Sequence, residues 1–592
     1  MSMHFANMRL FTGFVTAAFA AFTNVACAQD SSSSLKQADT DYRSGVAALS
    51  HNDLNTALQD FEKVVRLAPS AEQGHSALGA VLVKMGRTSE GIRELEKALT
   101  IKSSDSSAQI NLAVAYEQSG QPAKALPWFA KLETASRAEK HPLPAYVIAA
   151  YARALGAMKQ FPAAVARMKE VVAEDPHNAA WQDELGSIYA LQQDWPNAKK
   201  AFTTALEANP NLAAAHFHLG VTLEAQNDPG ALDELTKAYQ LDSQNLIIAL
   251  ELSRSLAAAG NDEQAISMLR HAVELDPAST AAAYQLGLAL QRTNKVDEAI
   301  PLFQRIAAAD TGNAEVLINL GLALCQAQRA KEAVPVLQRA VALAPENITT
   351  HQNLAAAYVQ LSQFDDAVSQ LRAALKLSPN APQLHYNLGV AFKMQDDAVD
   401  AIPELESAEK FDPSMAEPPY VLGVLYMQTG RYADAARELN TSLKLQPENG
   451  DGWATLGSVY NKLDKLPEAV SALHEAIRQL PEQPDPHLTL ASVLVKQNQM
   501  SEATAERKIA AGLMHAHMNR QQAEVATNSA NSLLKSGKVE DSLVEFRNAL
   551  SYDPDYAAAH VGLANALQQQ GKVTEAAAER QKADALKKRP QP

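Results

Sequence analysis

Five prolines recur at a constant spacing of 34 residues in the second half of the chain: Pro345, Pro379, Pro413, Pro447 and Pro481. Each proline follows the same order of small and apolar residues, so each closes one copy of a repeated segment. Because proline cannot continue a helical hydrogen-bond ladder, the spacing predicts a helix end at each position. Segments of this length stack on their neighbours, so the chain is expected to form an array instead of one central core.

Sixteen repeats align when the closing proline is counted as position 32. They start at Ala38, Glu72, Ser106, Ala145, Ala179, Ala213, Leu246, Thr280, Ala314, Ile348, Pro382, Ala416, Gly450, Pro484, Ala523 and Ala557. Position 8 is always Gly, Ala or Ser, position 7 is mostly Leu, and position 20 is nearly always Ala. We interpret positions 8 and 20 as the close crossing of two helices, and positions 4, 7, 11 and 24 as their shared core.

This pattern resembles the tetratricopeptide repeat, which has small residues at positions 8 and 20, Leu at 7, Tyr at 11, Ala at 27 and Pro at 32. The resemblance covers residues 38–588. It implies an all-α fold, in which about 16 antiparallel pairs of helices, A and B, stack into a right-handed α-solenoid superhelix whose A helices line a concave groove. An aromatic content of only 6% agrees with helices packed closely through small side chains.

Two repeats are 39 residues long instead of 34. Their additional residues fall near 136–144 and 512–522, where helix B can lengthen before the next repeat begins. We therefore predict the following division: a signal peptide at 1–28, a short polar linker at 29–37, repeat blocks at 38–144 and 145–522, and a third block with a basic C-terminal tail at 523–592.

The N-terminus is predicted to carry an export signal. Residues 10–22 are uncharged and largely apolar, and small residues follow up to Ala28, which predicts a signal peptide cleaved after Ala28. We expect a protein in the periplasm or outer envelope of a bacterium, or secreted from another cell. The alternative is a lipoprotein anchored through Cys27, but Asn24 stands where a lipobox has an aliphatic residue.

Charge and apolar content exclude two classes. The net charge of −15 leaves no basic footprint for phosphates, so nucleic acid is not an expected partner. No later stretch reaches eighteen apolar residues, so no transmembrane segment is predicted. Cleavage after Ala28 leaves Cys325 as the single cysteine, which excludes an internal disulfide.

Two stripes of side chains occupy positions that face the groove in the family that the chain resembles. Position 6 carries Asn319, Asn353 and Asn387, and position 5 carries Tyr284, Ile318, Tyr386 and Tyr420. Asn amides can pair with the backbone of an extended peptide, and exposed apolar side chains offer pockets for its side chains. The alternatives are that Asn is a tolerated solvent-facing residue and that the apolar side chains are buried between adjacent A helices.

One branch of the family grips C-terminal carboxylates with Lys at position 2. Here position 2 has no Lys or Arg in any repeat and is often acidic, as in Glu315, Glu417, Asp451 and Asp485. The carboxylate clamp is therefore missing, and basic or neutral extended segments are the expected partners.

Metal and catalytic sites are not predicted. The segment 514–518, Met-His-Ala-His-Met, is rich in metal-ligating residues, but His515 and His517 are two apart and face different sides of a helix. Cys325 is interpreted as a small structural residue, since no His or Asp partner is evident. No nucleotide-binding, hydrolase or zinc-protease motif occurs. We predict no cofactor, no metal and no enzymatic activity.

These observations favour a non-enzymatic scaffold that binds extended polypeptide segments in the groove of a repeat superhelix. The alternative is a structural subunit of a cell-envelope assembly, such as a polysaccharide export machine. A transient client dissociates during purification, whereas a fixed subunit keeps its partner. The oligomeric state is not indicated by the sequence.

Overall fold

A computed structural model describes residues 31–587 of the protein. Within that range the chain forms 31 α-helices and no β-strand, so the predicted all-α fold is confirmed. The signal peptide at 1–28, with Cys27, and the last residues of the basic tail lie outside the described residues. The helices are α1 (Ser31–Ser50), α2 (Leu54–Leu67), α3 (Glu72–Lys84), α4 (Thr88–Ile101), α5 (Ser106–Gln118), α6 (Pro122–Glu139), α7 (Ala145–Ala157), α8 (Phe161–Glu174), α9 (Ala179–Leu191), α10 (Trp195–Ala208), α11 (Ala213–Ala225), α12 (Ala231–Leu241), α13 (Leu246–Ala258), α14 (Asp262–Leu275), α15 (Thr280–Arg292), α16 (Val296–Ala309), α17 (Ala314–Gln326), α18 (Ala330–Leu343), α19 (Ile348–Gln360), α20 (Phe364–Leu377), α21 (Pro382–Met394), α22 (Ala398–Phe411), α23 (Glu417–Gln428), α24 (Tyr432–Leu445), α25 (Gly450–Lys462), α26 (Leu466–Gln479), α27 (Pro484–Lys496), α28 (Met500–Lys535), α29 (Val539–Tyr552), α30 (Ala557–Gln569) and α31 (Val573–Lys587).

Each repeat is a helix hairpin with the same turn. In all sixteen repeats position 15, just beyond helix A, has a positive φ, as at Gly430 (78°) and Asn294 (59°). In the turn after α23 the Arg431 N–H donates to the Tyr426 carbonyl at 2.7 Å, which closes the last turn of the helix. Gly and Asn adopt this left-handed conformation at low cost, so they are common at position 15.

The repeat starts predicted from the sequence are, with few exceptions, the starts of A helices. Helices α3, α17 and α27 begin at Glu72, Ala314 and Pro484, as predicted. Many of these starts carry a side-chain cap: the Asn313 side chain, for example, accepts from the Val316 N–H at 3.2 Å. Such a cap satisfies an amide that has no partner inside the helix.

The small residue at position 8 is required by the packing of the hairpin. A Cβ atom on Gly321 would lie 2.4 Å from Cγ of Leu337, the position 24 residue of the same repeat. In the hairpin of α3 and α4 a Cβ on Gly91, at position 20, would lie 2.7 Å from the Gly79 carbonyl oxygen. Helices A and B therefore cross closely at positions 8 and 20, and the position 24 side chain fills the space above position 8.

Two boundaries differ from the simple repeat. Helix α1 begins at Ser31, so most of the segment 29–37, predicted as a linker, is helical. The additional residues at 512–522 lie inside α28, one uninterrupted helix of 36 residues that joins helix B of one repeat to helix A of the next. Its sequence has no Pro or turn signal between Met500 and Lys535, so nothing interrupts the hydrogen-bond ladder.

The described chain divides into two compact parts, here named the N-terminal half (up to Lys295) and the C-terminal half (from Val296). Each half has its own hydrophobic clusters. One cluster in the N-terminal half is built around Phe129 and Leu112, and one in the C-terminal half around Leu473 and Leu490. No helix between residues 31 and 587 combines the length and apolarity needed to cross a membrane.

Candidate functional site

The candidate site is the stripe formed by positions 5, 6, 9 and 12 of each helix A, here named the A-helix face. These positions recur at three- and four-residue steps and so lie on one side of the helix. The seven residues predicted from the sequence all lie on this face and all are partly exposed. Tyr284 belongs to the N-terminal half, and the other six belong to the C-terminal half.

The three asparagines do not share one hydrogen-bonding state. The Asn387 side-chain oxygen accepts from Nε2 of Gln383 at 3.1 Å, along the same helix. The Asn353 side-chain nitrogen is buried and has no hydrogen-bond partner. An unpaired buried donor is costly, commonly about 1–3 kcal/mol, and because this nitrogen is shielded from solvent a partner reaches it only if the Asn353 side chain turns outward.

Tyr386 and Tyr420, at position 5, each lie near an acidic residue of the following A helix. Burial, and then the charge of Glu417, raises the pKa of Tyr386. Burial, and then the charge of Asp451, raises the pKa of Tyr420. Both acidic residues occupy position 2 of the following repeat. Each tyrosine is thus partly packed and partly exposed beside a carboxylate.

The N-terminal half carries a different A-helix face, which the sequence analysis did not identify. Arg153 of α7 bridges Glu117 of α5, at 3.0 Å, and Glu184 of α9, at 2.9 Å. Asp183 of α9 pairs with His218 of α11 at 2.8 Å. Glu224 of α11 and Glu251 of α13 both contact Arg254 of α13. These eight residues link five successive A helices and are here named the ion-pair ladder.

Burial and pairing act in opposite directions on the charges of the ladder. Burial opposes the charge of Arg153, but Glu184 and Glu117 outweigh it and raise the pKa of the guanidinium. Burial raises the pKa of Glu224, an effect that the charge of Arg254 only partly offsets. These charges are thus committed to one another, and the carboxylates and guanidinium groups hold adjacent repeats together.

Two of the contacts in the ladder follow one rule. The arginine at position 9 faces position 12 of the preceding repeat, as Arg153 faces Glu117 and Arg254 faces Glu224. The signal was present in the sequence as Arg at position 9 and Glu at position 12 of neighbouring repeats. The predictions from positions 2, 5 and 6 did not include it.

In the C-terminal half the A-helix face is almost free of charge. At positions 5, 6, 9 and 12 of the A helices in the repeats that start between Ala314 and Ala557, within the described residues, Lys393 alone has a formal charge. The face presents amides, hydroxyls and apolar groups, including Leu488, which is 40% exposed. Such a surface can form hydrogen bonds and apolar contacts with a partner without first breaking an ion pair.

Four of the six histidines at position 4 form a second recurrent contact that the sequence analysis missed. In one of them, His385, Nε2 lies 2.9 Å from the carbonyl oxygen of Pro379, and Nδ1 lies 2.6 Å from Glu404. The same geometry recurs at His75, His216 and His560 with their own proline and glutamate. Both ring nitrogens are thereby engaged, and through the proline carbonyl each of these four histidines ties its repeat to the preceding one.

A third contact joins position 11 to position 25 of the preceding repeat. The Tyr116 hydroxyl donates to Glu96 at 2.5 Å, and the Tyr426 hydroxyl donates to Glu406 at 2.8 Å. Burial and the glutamate raise the pKa of each tyrosine to about 12. This contact occurs in both halves. Together with the close crossing at positions 8, 20 and 24 it forms the set of recurrent contacts that is here named the packing frame.

Two other residue sets singled out by sequence have clear environments. Cys325 is only 5% exposed, and burial raises the pKa of its thiol to about 11, which makes it a poor nucleophile at neutral pH. Nδ1 of His515 lies 3.2 Å from the side-chain amide nitrogen of Asn519, while His517 is exposed. Among residues 31–587 no three His, Cys, Asp or Glu side chains gather in a metal-binding arrangement.

The fold defines an all-α solenoid of helix hairpins whose packing contacts recur from repeat to repeat and whose A-helix face differs between the two halves. Sequence profiles agree with this class. A profile described as "Tetratricopeptide repeat" matches residues 76–139, 150–198, 184–245, 250–314, 284–348 and 420–506. A second, described as "TPR repeat", matches residues 357–396 and 530–571. The chain belongs to the tetratricopeptide repeat family, whose repeats build protein-interaction scaffolds.

Several solved structures are similar to parts of this chain. YrrB, described as a TPR protein with an unusual peptide-binding site, is 24% identical over 31% of this chain and 95% of its own, with a TM-score of 0.28. MamA from Desulfovibrio magneticus RS-1 is 22% identical over 29% of this chain and 96% of its own, with a TM-score of 0.28. A chain of the APC/C hetero-tetramer Cut9–Hcn1 is 16% identical over 85% of this chain and 98% of its own, with a TM-score of 0.31. None of the curated proteins compared with the chain matches it in sequence.

Proposed function

We propose that the protein is a non-enzymatic scaffold whose C-terminal half binds extended polypeptide segments on its A-helix face. The observation that carries the proposal is the difference in charge between the two faces. The ion-pair ladder occupies the N-terminal face, whereas the C-terminal face offers uncharged, partly exposed side chains.

The chemistry of the C-terminal face suits a peptide backbone. An Asn amide has two donors and an acceptor, so Asn319, Asn353 and Asn387, at one position of three successive repeats, match the regular polar groups of an extended chain. Neighbouring Ile318, Tyr386 and Tyr420 supply apolar contact for its side chains.

Acidic residues at the N-terminal ends of the A helices indicate the charge of the partner. Position 2 carries Glu315, Glu417 and Asp451 beside this face, and no basic residue takes that position in any repeat. Acidic groups attract basic segments and repel acidic ones. We therefore propose basic or neutral polypeptide as the partner and not nucleic acid.

A peptide-binding experiment tests the proposal. Fluorescently labelled twelve-residue peptides of basic, neutral and acidic composition are titrated with the full chain and with the triple variant Asn319→Ala, Asn353→Ala, Asn387→Ala. We expect basic and neutral peptides to bind, and the triple variant to bind them at least about tenfold more weakly, the loss of about 1.4 kcal/mol. Asn111→Ala, at position 6 of the N-terminal half, is the matched control and should bind normally. Equal binding by a folded triple variant contradicts the proposal.

We also propose that the protein is exported, on the basis of residues 1–28. Cell fractionation with intact-mass measurement tests this. A mature mass that begins after Ala28 supports cleavage, whereas a mass increased by a lipid on Cys27 indicates anchoring. Retention of the complete N-terminus in the mature protein contradicts export by this signal.

A further inference from the structure

The exposed middle of α28 carries a cluster of soft metal ligands that the proposed function does not use. We propose that Met514, His517 and Met518 bind one soft monovalent metal ion, copper(I). The cluster lies within the 39-residue repeat that starts at Pro484, in the part of α28 that has no counterpart in a 34-residue repeat.

The continuous helix fixes the relative placement of the three side chains. Residues three and four apart on a helix are neighbours, with Cβ atoms roughly 5–6 Å apart. His517 and Met518 therefore lie one turn beyond Met514, on either side of it. The two thioether sulfurs and one ring nitrogen can converge over this turn, whereas His515 and His517, two residues apart, diverge.

The surroundings leave this turn open to solvent. Met514 is 53% exposed and Met518 is 50% exposed. His517, which lies between them in the sequence, is exposed as well. A metal ion can reach the three ligands without displacing a packed side chain.

The neighbouring polar groups leave His517 available as a ligand. His517 makes no hydrogen bond and no ion pair within residues 31–587, whereas His515 lies 3.2 Å from the Asn519 amide nitrogen. Arg520, the nearest cationic side chain along the helix, pairs with Asp553 at 2.6 Å and lies over the ring of Tyr556. Its positive charge is thereby directed toward α29 and α30 and away from the cluster.

The donor set determines the kind of metal. Thioethers are neutral, soft ligands that favour copper(I), and imidazole also binds copper. Magnesium and calcium require oxygen ligands, and protein zinc sites use thiolate, imidazole and carboxylate. Three neutral donors compensate no charge, which suits a monovalent ion.

Competition for copper(I) tests the assignment. The full chain is titrated anaerobically into a solution of copper(I) and the coloured chelator bicinchoninate. We expect the wild type to remove one equivalent of copper(I). The double variant Met514→Leu, Met518→Leu and the single variant His517→Asn should each bind at least about tenfold more weakly, since the loss of even an outer-shell partner weakens metal sites about 10- to 100-fold.

Matched controls separate this site from other sulfur and nitrogen donors. Met500→Leu, which changes another exposed methionine of α28, and His515→Asn should bind copper(I) as the wild type does. Leucine is a good helix former close in volume to methionine, so α28 should be retained, as circular dichroism will verify. Failure of the wild type to compete, or undiminished binding by the folded double variant, overturns the proposal.

Discussion

The two halves of the molecule share one packing frame but differ on the A-helix face. In the N-terminal half Arg153 and Arg254 join neighbouring A helices through paired carboxylates. In the C-terminal half the corresponding positions carry amides, hydroxyls and apolar groups, and Lys393 is their one formal charge within the described residues. The frame positions hold the hairpins together in both halves, so the face positions are free to differ.

The same face positions can either hold adjacent A helices together or bind a partner. An ion pair between adjacent A helices strengthens their contact but commits its polar groups to each other. Uncharged, partly exposed side chains can contact a partner without first breaking an ion pair. The N-terminal face is therefore interpreted as mainly structural, and the C-terminal face as mainly a binding surface.

The largest expected effect concerns the packing frame, in which a large side chain at position 8 should be equally destabilising in both halves. Gly321→Leu, and Gly79→Leu in the N-terminal half, would place a side chain where Leu337 or Leu95 already lies within 3 Å of the added Cβ. We expect each to lower local stability by about 3 kcal/mol. Hydrogen exchange of the affected hairpin measures this, because repeat arrays open locally.

Gly512→Leu is the control for that experiment. Its added Cβ would meet nothing within 4 Å, and leucine has a higher helix propensity than glycine, so stability should rise by up to about 1 kcal/mol. Wild-type exchange rates in Gly321→Leu, or a large loss in Gly512→Leu, would show that close crossing at position 8 does not govern the hairpin.

A smaller effect is expected from breaking the ion-pair ladder. Arg153→Met leaves Glu117 and Glu184 without their cation. Removing one partner of a fully buried pair costs about 3–5 kcal/mol, but the Arg153 side chain is 36% exposed, so we expect about 1–2 kcal/mol. Hydrogen exchange in α5, α7 and α9 measures the change.

The control for the ladder lies on an exposed pair of the C-terminal half. Arg478 is 68% exposed and pairs with Glu475 along α26, so Arg478→Met should change stability by less than about 0.5 kcal/mol. If Arg153→Met and Arg478→Met have equal effects, the ladder has no special role in holding the A helices together.

The smallest expected difference between the halves is in alkaline unfolding. The pKa values of Tyr116 and Tyr426, one in each half, are raised to about 12 by burial and by a neighbouring glutamate. A raised folded pKa means that the stabilisation is complete below the unfolded value of about 10 and is lost as pH rises toward 12. Tyr116→Phe and Tyr426→Phe should each reduce the loss of stability with rising pH in their own half.

Hydrogen exchange between pH 9 and 12 can resolve the halves in that experiment, with intrinsic exchange rates taken from an unfolded reference. We expect similar responses, since the contact from position 11 to position 25 belongs to the shared frame. A response confined to one half would mean that the frame itself differs between them.

The parts of the structure that the sequence predicted are those set by local packing. Small residues at position 8, large residues at position 24 and prolines at position 32 recur with the repeat, so the starts of α3, α17 and α27 followed directly. The uninterrupted helix α28 was not predicted as a single element, because the break in period hid the absence of a turn signal there.

The ion-pair ladder required information that the period does not contain. Its contacts depend on how far each helix A is rotated and shifted relative to the next, which places Arg153 opposite Glu117 and Glu184. The asparagine and tyrosine positions were predicted on the correct helices, but the paired state of Asn387 and the unpaired nitrogen of Asn353 depend on side-chain geometry.

The central claim is that polypeptide contacts the A-helix face of the C-terminal half and not that of the N-terminal half. Photocrosslinking tests it most directly: a benzophenone amino acid replaces Tyr386 or, as the matched position 5 of the N-terminal half, Leu250. A basic twelve-residue peptide is added to each full-length variant and the covalent product is quantified. The account predicts a crosslinked peptide at position 386 and background signal at position 250. Crosslinking at position 250 with background signal at position 386 would contradict it.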